Sequence, residues 1–134
     1  MNIKIIVFAF ILVLILRAFI FTTYKISSRS MYPVLQAEDQ IIAVNKNFVF
    51  FNNALSNIIL FNNPYDNKQV LIKRVVQIVK KTSHDQKEEI FFEMRGDNTS
   101  HSIDSTSYGL ISEKQCIGKA IFIFYPFARF GPVK

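Results

Sequence analysis

The sequence is poor in the residues that build disulfide frameworks and metal centres. Its 134 residues include one cysteine, two histidines and four glycines. A single cysteine forms no internal disulfide and no cysteine-rich metal site, and neither a metal-ligand spacing nor a glycine-rich phosphate loop occurs. Cys116 lies in the apolar run QCIGKAIFIF and is predicted to be a small core residue of a strand. We therefore expect neither a metal nor a cofactor.

Positive charge is in excess, but no part of the chain concentrates it. The formal net charge is +6, whereas the lysines and arginines are scattered and no basic helix gathers them. No aromatic–basic pattern typical of nucleic-acid binding occurs, and contact with an anionic membrane surface explains the charge with fewer assumptions. Apolar residues make up 50% of the chain and include 14 phenylalanines, which is high for a small soluble domain. The composition favours a membrane-associated protein that does not bind nucleic acid.

The longest apolar run, residues 5–24, has the length of a membrane span. Twenty helical residues rise about 30 Å, enough to cross the hydrocarbon core of a bilayer. Arg17 interrupts the run near its far end, where a long side chain reaches the headgroups. A cleavable signal peptide is the competing interpretation, but bulky residues follow the run instead of a small-x-small cleavage site. We predict a retained membrane anchor over residues 1–25 and a second domain over residues 26–134.

The second domain is predicted to be all-β or nearly so. Runs rich in branched and aromatic residues alternate with turn residues, and no helical period of useful length follows Tyr24. The predicted strands are 40–46, 47–53, 57–63, 69–81, 90–96 and a closing run at 119–131.

Three features break these local patterns, and such places are where function is expected. They are the serines at 27, 28 and 30, a lysine inside the apolar strand VLIKRVVQIV, and the small polar residues at 97–109.

Serine needs a base to become a nucleophile, and a lysine serves only when neutral, so its pKa must fall from about 10.4 to about 7–8. Burial among aliphatic side chains lowers a lysine pKa in this way. The competing interpretation is that Lys73 extends to solvent from an edge strand beside Arg74.

Three motifs in order behind the predicted anchor resemble those of the type I signal peptidases. They are SSRSMYPVL, LIKRVV and GDNTSHSIDSTSYG, and the closing GKAIFIFYPFARFG is similar to the last strand and tail of that family. The resemblance covers nearly the whole chain. It implies a membrane-bound serine protease with a Ser/Lys dyad, mainly β, with a single N-terminal transmembrane helix followed by a compact signal-peptidase-like β-domain. Only a short connection joins Lys73 to Gly96, so the chain lacks room for the large second domain of longer members.

The resemblance assigns roles to individual residues. It makes Ser30 the nucleophile and Lys73 its general base, and it places the Ser28 hydroxyl with the Ser30 N–H in an oxyanion hole. Ser102 falls where the family has a serine that orients the lysine amine, and Asp104 falls on the aspartate of the same motif. The resemblance also implies structural roles for Met31 and Pro33 in the nucleophile loop, Arg74 beside the lysine, and Gly96, Asp97 and Asn98 in the turn before the polar stretch.

The sequence departs from the family pattern at several positions. Thr106 stands where an arginine usually pairs with the aspartate, and Arg74 and Arg95 are the two candidates to replace that arginine. The turn that usually follows KRVV is absent, and QAEDQ lacks the glycine of a common Gly-Asp pair. These departures favour a minimal or divergent member with narrowed substrates.

The resemblance predicts removal of signal peptides from exported preproteins, with small residues preferred at the first and third positions before the cut. The enzyme is expected to be a monomer in the cytoplasmic (inner) membrane, with one pass and its catalytic domain on the outer (periplasmic or extracellular) face. Charge alone does not orient it, because Lys4 precedes the span and Lys25 and Arg29 follow. Some phenylalanines are candidates for contact with the lipid surface rather than for strand packing: Phe48, Phe50, Phe51, Phe127 and Phe130.

Three alternatives stay open. His101 with Asp104 offers a Ser/His/Asp arrangement, although a solvated loop histidine is the simpler interpretation, as it is for His84. A specialised Ser/Lys peptidase of a conjugation or pilin system has the same dyad. An inactive membrane-tethered β-domain acting as a binding module is the third, and Thr106 is its main support.

Overall fold

The fold consists of an N-terminal helix followed by one antiparallel sheet. The computed structural model describes residues 2–101 and 105–134, without the side chains of Ser105 and Thr106. The prediction of a mainly β protein with a single N-terminal apolar helix is confirmed.

The N-terminal helix α1 is long and apolar enough to cross a membrane. It runs over Ile3–Ile20, with a mean hydropathy of 2.8 and no buried residue. The predicted span continued to residue 24, but its last four residues belong instead to strand β1, Phe21–Lys25. The β-branched Thr22 and Thr23 favour an extended backbone, and pairing with the next strand satisfies their backbone groups.

The sheet has eight strands, all paired antiparallel. After β1 the chain forms β2 (Gln40–Asn45), β3 (Ile58–Asn63), β4 (Asp66–Thr82), β5 (Glu88–Arg95), β6 (Ile111–Ser112), β7 (Cys116–Tyr125) and β8 (Gly131–Pro132), and a short helix α2 (Ser105–Tyr108) precedes β6. The spatial order is β1-β2-β7-β3-β4-β5-β6, with β8 paired to β7. Strands β4 and β5 form a long hairpin closed by the polar turn at residues 83–87.

The strand predicted over residues 47–53 is wrong. Two 3-10 turns occupy this region, Lys46–Phe48 and Phe51–Asn53. The Asn45 side chain accepts a hydrogen bond from the Asn47 N–H at 3.1 Å, so a polar cap starts the first turn where the aromatic composition indicated a strand.

Two clusters of buried side chains form the core. One contains Met31, Leu35 and Ile41 beside the loop that carries the serines, and the other contains Phe61, Phe92 and neighbours of β4. Cys116 belongs to the second cluster, as predicted. Burial, aided by the negative charge of Glu113, raises the pKa of the Cys116 thiol to about 12, so this cysteine acts as an apolar core residue.

Candidate active site

The segment that carries Ser30, residues 26–39, is a closed loop between β1 and β2. We call it the serine loop. Two backbone hydrogen bonds of 2.8 Å join its ends, from the Ile26 N–H to the Asp39 carbonyl and from the Glu38 N–H to the Ile26 carbonyl. Met31 is buried in the first core cluster and Ser30 is only 5% exposed. The apolar residues after the serines therefore anchor the loop, which explains why a serine-rich segment returns at once to hydrophobic sequence.

Two of the three clustered serines contact one another. The hydroxyl oxygens of Ser28 and Ser30 lie 3.2 Å apart, within hydrogen-bonding distance, and Ser28 is exposed where Ser30 is buried. Ser27 has no hydrogen bond to either hydroxyl in the described part of the chain. A hydroxyl beside the candidate nucleophile is one kind of donor from which an oxyanion hole can be built.

Lys73 is a buried lysine in an interior strand. It lies on β4 opposite Ile59 of β3, and β4 has β3 on one side and β5 on the other. Lys73 is 4% exposed and close in sequence to Val75, which is also buried. The interpretation in which Lys73 extends to solvent from an edge strand is therefore wrong. Burial of a lysine amine disfavours its charged form, which is the condition for a lysine base.

Ser28, Ser30 and Lys73 line one cavity, which we call the serine–lysine cavity. Its volume is about 160 Å³, and apolar side chains such as Ile26 and Leu60 form part of its wall. The loop after β1 contributes the serines and the first half of β4 contributes the lysine. Two segments more than 40 residues apart in sequence thus meet at a small, partly apolar pocket.

The GDN motif links the serine loop to the strand that carries the lysine. The Asn98 N–H donates to the Ser30 carbonyl at 2.9 Å, and the Asn98 side-chain amide donates to the Arg29 carbonyl at 3.0 Å. Asp97 accepts two hydrogen bonds from the Arg74 guanidinium, at 2.8 and 2.7 Å. The hydrogen bond and charge of Asp97 raise the pKa of Arg74, against an opposing effect of burial. Arg74 follows Lys73 directly, so these contacts connect the two candidate catalytic residues.

The predicted supporting residues Ser102 and Asp104 lie outside the described residues, as does the side chain of Thr106. The two arginines considered as partners for Asp104 bond other groups. Arg74 also donates to the carbonyls of Ser56 and Lys134, and Arg95 pairs with Glu93 at 2.8 Å.

His101 lines a different cavity from the candidate nucleophile. It is exposed, at the end of a 3-10 turn, and it shares a cavity with Arg29 and Tyr32, whereas Ser30 lines the serine–lysine cavity. Within the described residues no hydrogen bond joins His101 to Ser30. The geometry therefore favours the lysine over the histidine as the partner of Ser30.

A buried ion pair that the sequence did not reveal holds the far side of the serine loop. Asp39 is 1% exposed and accepts hydrogen bonds from Arg129 at 2.9 and 3.0 Å and from the Gln36 N–H at 2.8 Å. Arg129 also donates to the Val34 carbonyl at 2.9 Å. These partners lie 90 residues apart, and the only sequence signal is an acidic residue directly before a strand.

The residue before Asp39 explains the missing glycine of QAEDQ. Glu38 has a φ of 76°, in the left-handed region that glycine adopts without steric cost. The turn that favours glycine is therefore present, although this chain makes it with glutamate.

The remaining motif residues divide into buried and exposed positions. Gly96 is buried at the end of β5, directly before Asp97, and Pro33 is exposed on the serine loop. Of the phenylalanines considered for lipid contact, Phe51 packs in the core against Phe92, so that candidate is wrong. The other four are exposed, with Phe50 at 87%: Phe48, Phe50, Phe127 and Phe130.

No group of three or more histidine, cysteine, aspartate or glutamate side chains in residues 2–101 and 105–134 is placed to hold a metal ion.

The family described as "Signal peptidase, peptidase S26" matches residues 1–79, which include Ser28, Ser30 and Lys73. The chain belongs to this family. It is a peptidase by that membership, and the apolar helix α1 together with the match indicates a membrane-bound one.

Three relatives illustrate the range of the family. A probable signal peptidase I-1 of Synechocystis is 28% identical over 165 aligned positions, covering 97% of this chain and 84% of the relative. Subunit 1 of the mouse mitochondrial inner membrane protease is 29% identical and subunit 2 of the Saccharomyces cerevisiae enzyme is 30% identical, each over 70% of the relative and 78% and 80% of this chain. The Synechocystis alignment is longer than this chain, so that relative contains insertions.

Proposed function

We propose that this protein is a serine endopeptidase that removes N-terminal signal peptides from exported preproteins, with Ser30 as nucleophile and neutral Lys73 as general base. The observation that carries the proposal is the shared cavity, which a buried serine and a buried lysine both line. Family membership supports the class of substrate.

The proposed reaction has two stages. Lys73 Nζ takes the proton of Ser30 Oγ, which attacks the carbonyl carbon before the cut, while the Ser30 N–H and the Ser28 hydroxyl donate to the developing oxyanion. Collapse breaks the peptide bond, and the leaving amine of the mature protein takes the proton from the lysine. Water, deprotonated by Lys73, then attacks the carbonyl carbon of the acyl-enzyme, and Lys73 returns the proton to Ser30 Oγ as the ester bond breaks. Ser102 and Asp104 are proposed to orient the amine.

The cavity supports small substrate side chains. A cavity of about 160 Å³ holds a single group of about the size of benzene, so two substrate side chains that share it must both be small. We expect alanine to be preferred at the first and third positions before the cut. The catalytic domain is proposed to lie on the outer face of the cytoplasmic (inner) membrane, in a monomer with one membrane pass.

The decisive experiment is cleavage of a preprotein with an Ala-x-Ala site by the full chain in detergent or lipid. We expect Ser30→Ala and Lys73→Ala each to abolish cleavage. Lys73→Arg should be equally inactive, because a guanidinium is not deprotonated near neutral pH. Lys68→Ala is the matched control, since Lys68 lies on the same strand, exposed and outside the cavity. Retained activity in Lys73→Ala would exclude the dyad, and retained activity in His101→Ala would exclude the histidine as base.

The oxyanion role has its own control within the serine cluster. Ser28→Ala should lower kcat by about 100- to 1,000-fold, the usual effect of removing one oxyanion donor. Ser27→Ala should change kcat by less than about twofold, because Ser27 lines the cavity but bonds neither hydroxyl. Equal losses in the two variants would mean that the loop, and not the Ser28 hydroxyl, is what matters.

A further inference from the structure

A second cavity borders the segment that carries the nucleophile. It has a volume of about 390 Å³ and is lined by Arg29, Tyr32, Gln36, Ala37, Asn98 and His101. Ser28 and Ser30 line the serine–lysine cavity, whereas Arg29, between them in sequence, lines this second one. Neighbouring residues of this short segment therefore border two different cavities. We call the second one the arginine cavity.

Arg29 differs in its ion pairing from the other arginines that follow α1. Arg74, Arg95 and Arg129 each pair with a carboxylate, at Asp97, Glu93 and Asp39 respectively. Among residues 2–101 and 105–134, no carboxylate or hydrogen-bond acceptor engages the Arg29 guanidinium. Its side chain is exposed, so the charge is available to a ligand.

The backbone of Arg29 is nevertheless held firmly. Its carbonyl accepts from the Tyr32 N–H at 3.2 Å and from the Asn98 side-chain amide at 3.0 Å. A fixed backbone and a guanidinium that pairs with no carboxylate of the described residues suit recognition of an anion on a bound partner.

The position of the arginine cavity relates it to the part of the substrate that follows the cut. A substrate whose reacting carbonyl lies at Ser30 and whose preceding side chains fill the serine–lysine cavity places the residues after the cut outside that cavity. The arginine cavity is bordered by Arg29, the residue directly before Ser30. On this basis, which rests on the function proposed above, we infer that the arginine cavity receives the first residues after the cut and that Arg29 selects for an acidic side chain there.

The expected size of this preference is moderate. A partly exposed, charge-assisted hydrogen bond contributes enough to change kcat/KM by about five- to tenfold. The effect should weaken with added salt, because the pair is exposed. Arg29→Glu should replace the preference for an acidic residue by a preference for a basic one.

The test uses three preproteins with the same Ala-x-Ala site that carry Asp, Asn or Lys at the first two positions after the cut. The wild type, Arg29→Gln, Arg29→Glu and the control Arg95→Gln are compared by kcat/KM in a non-ionic detergent. We expect the wild type and Arg95→Gln to prefer Asp over Lys, Arg29→Gln to lose the preference and Arg29→Glu to reverse it. The ratio of two substrates on one enzyme is independent of how much of a variant is folded.

The possible failures are distinguishable. An unchanged Asp-to-Lys ratio in Arg29→Glu, with cleavage intact, overturns this inference and leaves the proposed function standing. Absence of cleavage of all three preproteins by the wild type overturns both. If substrate charge has no effect but vesicles of anionic phospholipid stimulate the wild type and not Arg29→Gln, Arg29 binds lipid headgroups and the inference is overturned.

Discussion

Two arginine–carboxylate pairs support the serine loop, one directly through Asp39 and the other through Asn98 next to Asp97, and they differ in burial. In the Arg129–Asp39 pair the carboxylate is 1% exposed and the arginine side chain 27% exposed. In the Arg74–Asp97 pair the side chains are 21% and 17% exposed. A carboxylate removed from water depends on its partner far more than one that water still reaches. The first pair should therefore control folding of the loop, and the second the alignment of Ser30 with Lys73.

Removal of the arginine from the buried pair should have the largest effect on stability. Arg129→Ala leaves Asp39 buried without its partner, so we expect the free energy of unfolding to fall by about 3 kcal/mol. Asp39→Ala should cost less, because the remaining Arg129 reaches solvent. Urea unfolding of the full chain in detergent micelles measures both. Equal losses of free energy of unfolding in the two variants would contradict the prediction that the buried carboxylate depends more on its partner than the arginine does.

Removal of the second pair should affect catalysis more than stability. Asp97→Ala removes the two hydrogen bonds by which Arg74 holds the segment in which Asn98 contacts the Ser30 carbonyl, so kcat/KM should fall about 10- to 100-fold. The free energy of unfolding should fall by only about 1–2 kcal/mol. Arg95→Ala, which breaks the exposed pair with Glu93, is the control and should leave both nearly unchanged. A loss of stability without a loss of activity would show that the Arg74–Asp97 pair does not align Ser30 with Lys73.

The turn at Glu38 offers a gain of stability in the same loop. Glu38→Gly relieves the positive φ of this residue, whereas Glu38→Ala does not, and both remove the exposed pair with Lys25. We expect the glycine variant to exceed the alanine variant by about 1 kcal/mol in free energy of unfolding. Equal stability of the two variants would show that the turn adapts without strain.

The exposed Lys25–Glu38 pair should contribute least. Its atoms lie 2.8 Å apart, but the side chains are 59% and 74% exposed, so solvent screens the attraction. Lys25→Ala should change the free energy of unfolding by less than about 0.5 kcal/mol. A larger loss would mean that Lys25 acts through its place at the edge of the serine–lysine cavity rather than through the ion pair.

Local patterns predicted the long elements and failed where two signals overlapped. Branched residues at 40–46, 57–63 and 69–81 correctly indicated β2, β3 and β4. Hydropathy did not separate α1 from β1, because the apolar run crosses the junction between them. In residues 47–53 the aromatic side chains indicated a strand, but Asn45 caps a turn and Phe51 and Phe50 point to core and solvent respectively. Strands of two residues, such as β6 and β8, are too short for any periodicity.

The candidate site was predictable as far as single residues break a local pattern. A lysine within an aliphatic strand and serines between apolar runs marked Lys73 and Ser30, and the fold brings both to one cavity. Asp39 and Arg129 gave no such signal, because each is an ordinary charged residue until strands remote in sequence are assembled. The roles of Ser102 and Asp104 remain predictions.

The junction between α1 and β1 has a consequence for where substrates are cut. The helix ends at Ile20, the strand begins at Phe21, and five pairs bind that strand to β2, so no flexible tether separates the membrane from the sheet. Five extended residues advance about 17 Å. Insertion of three glycines between Ile20 and Phe21 should therefore move or broaden the cleavage position in a preprotein, as read by mass spectrometry of the mature N-terminus. The fixed distance between the bilayer surface and Ser30 would then determine the position of the cut.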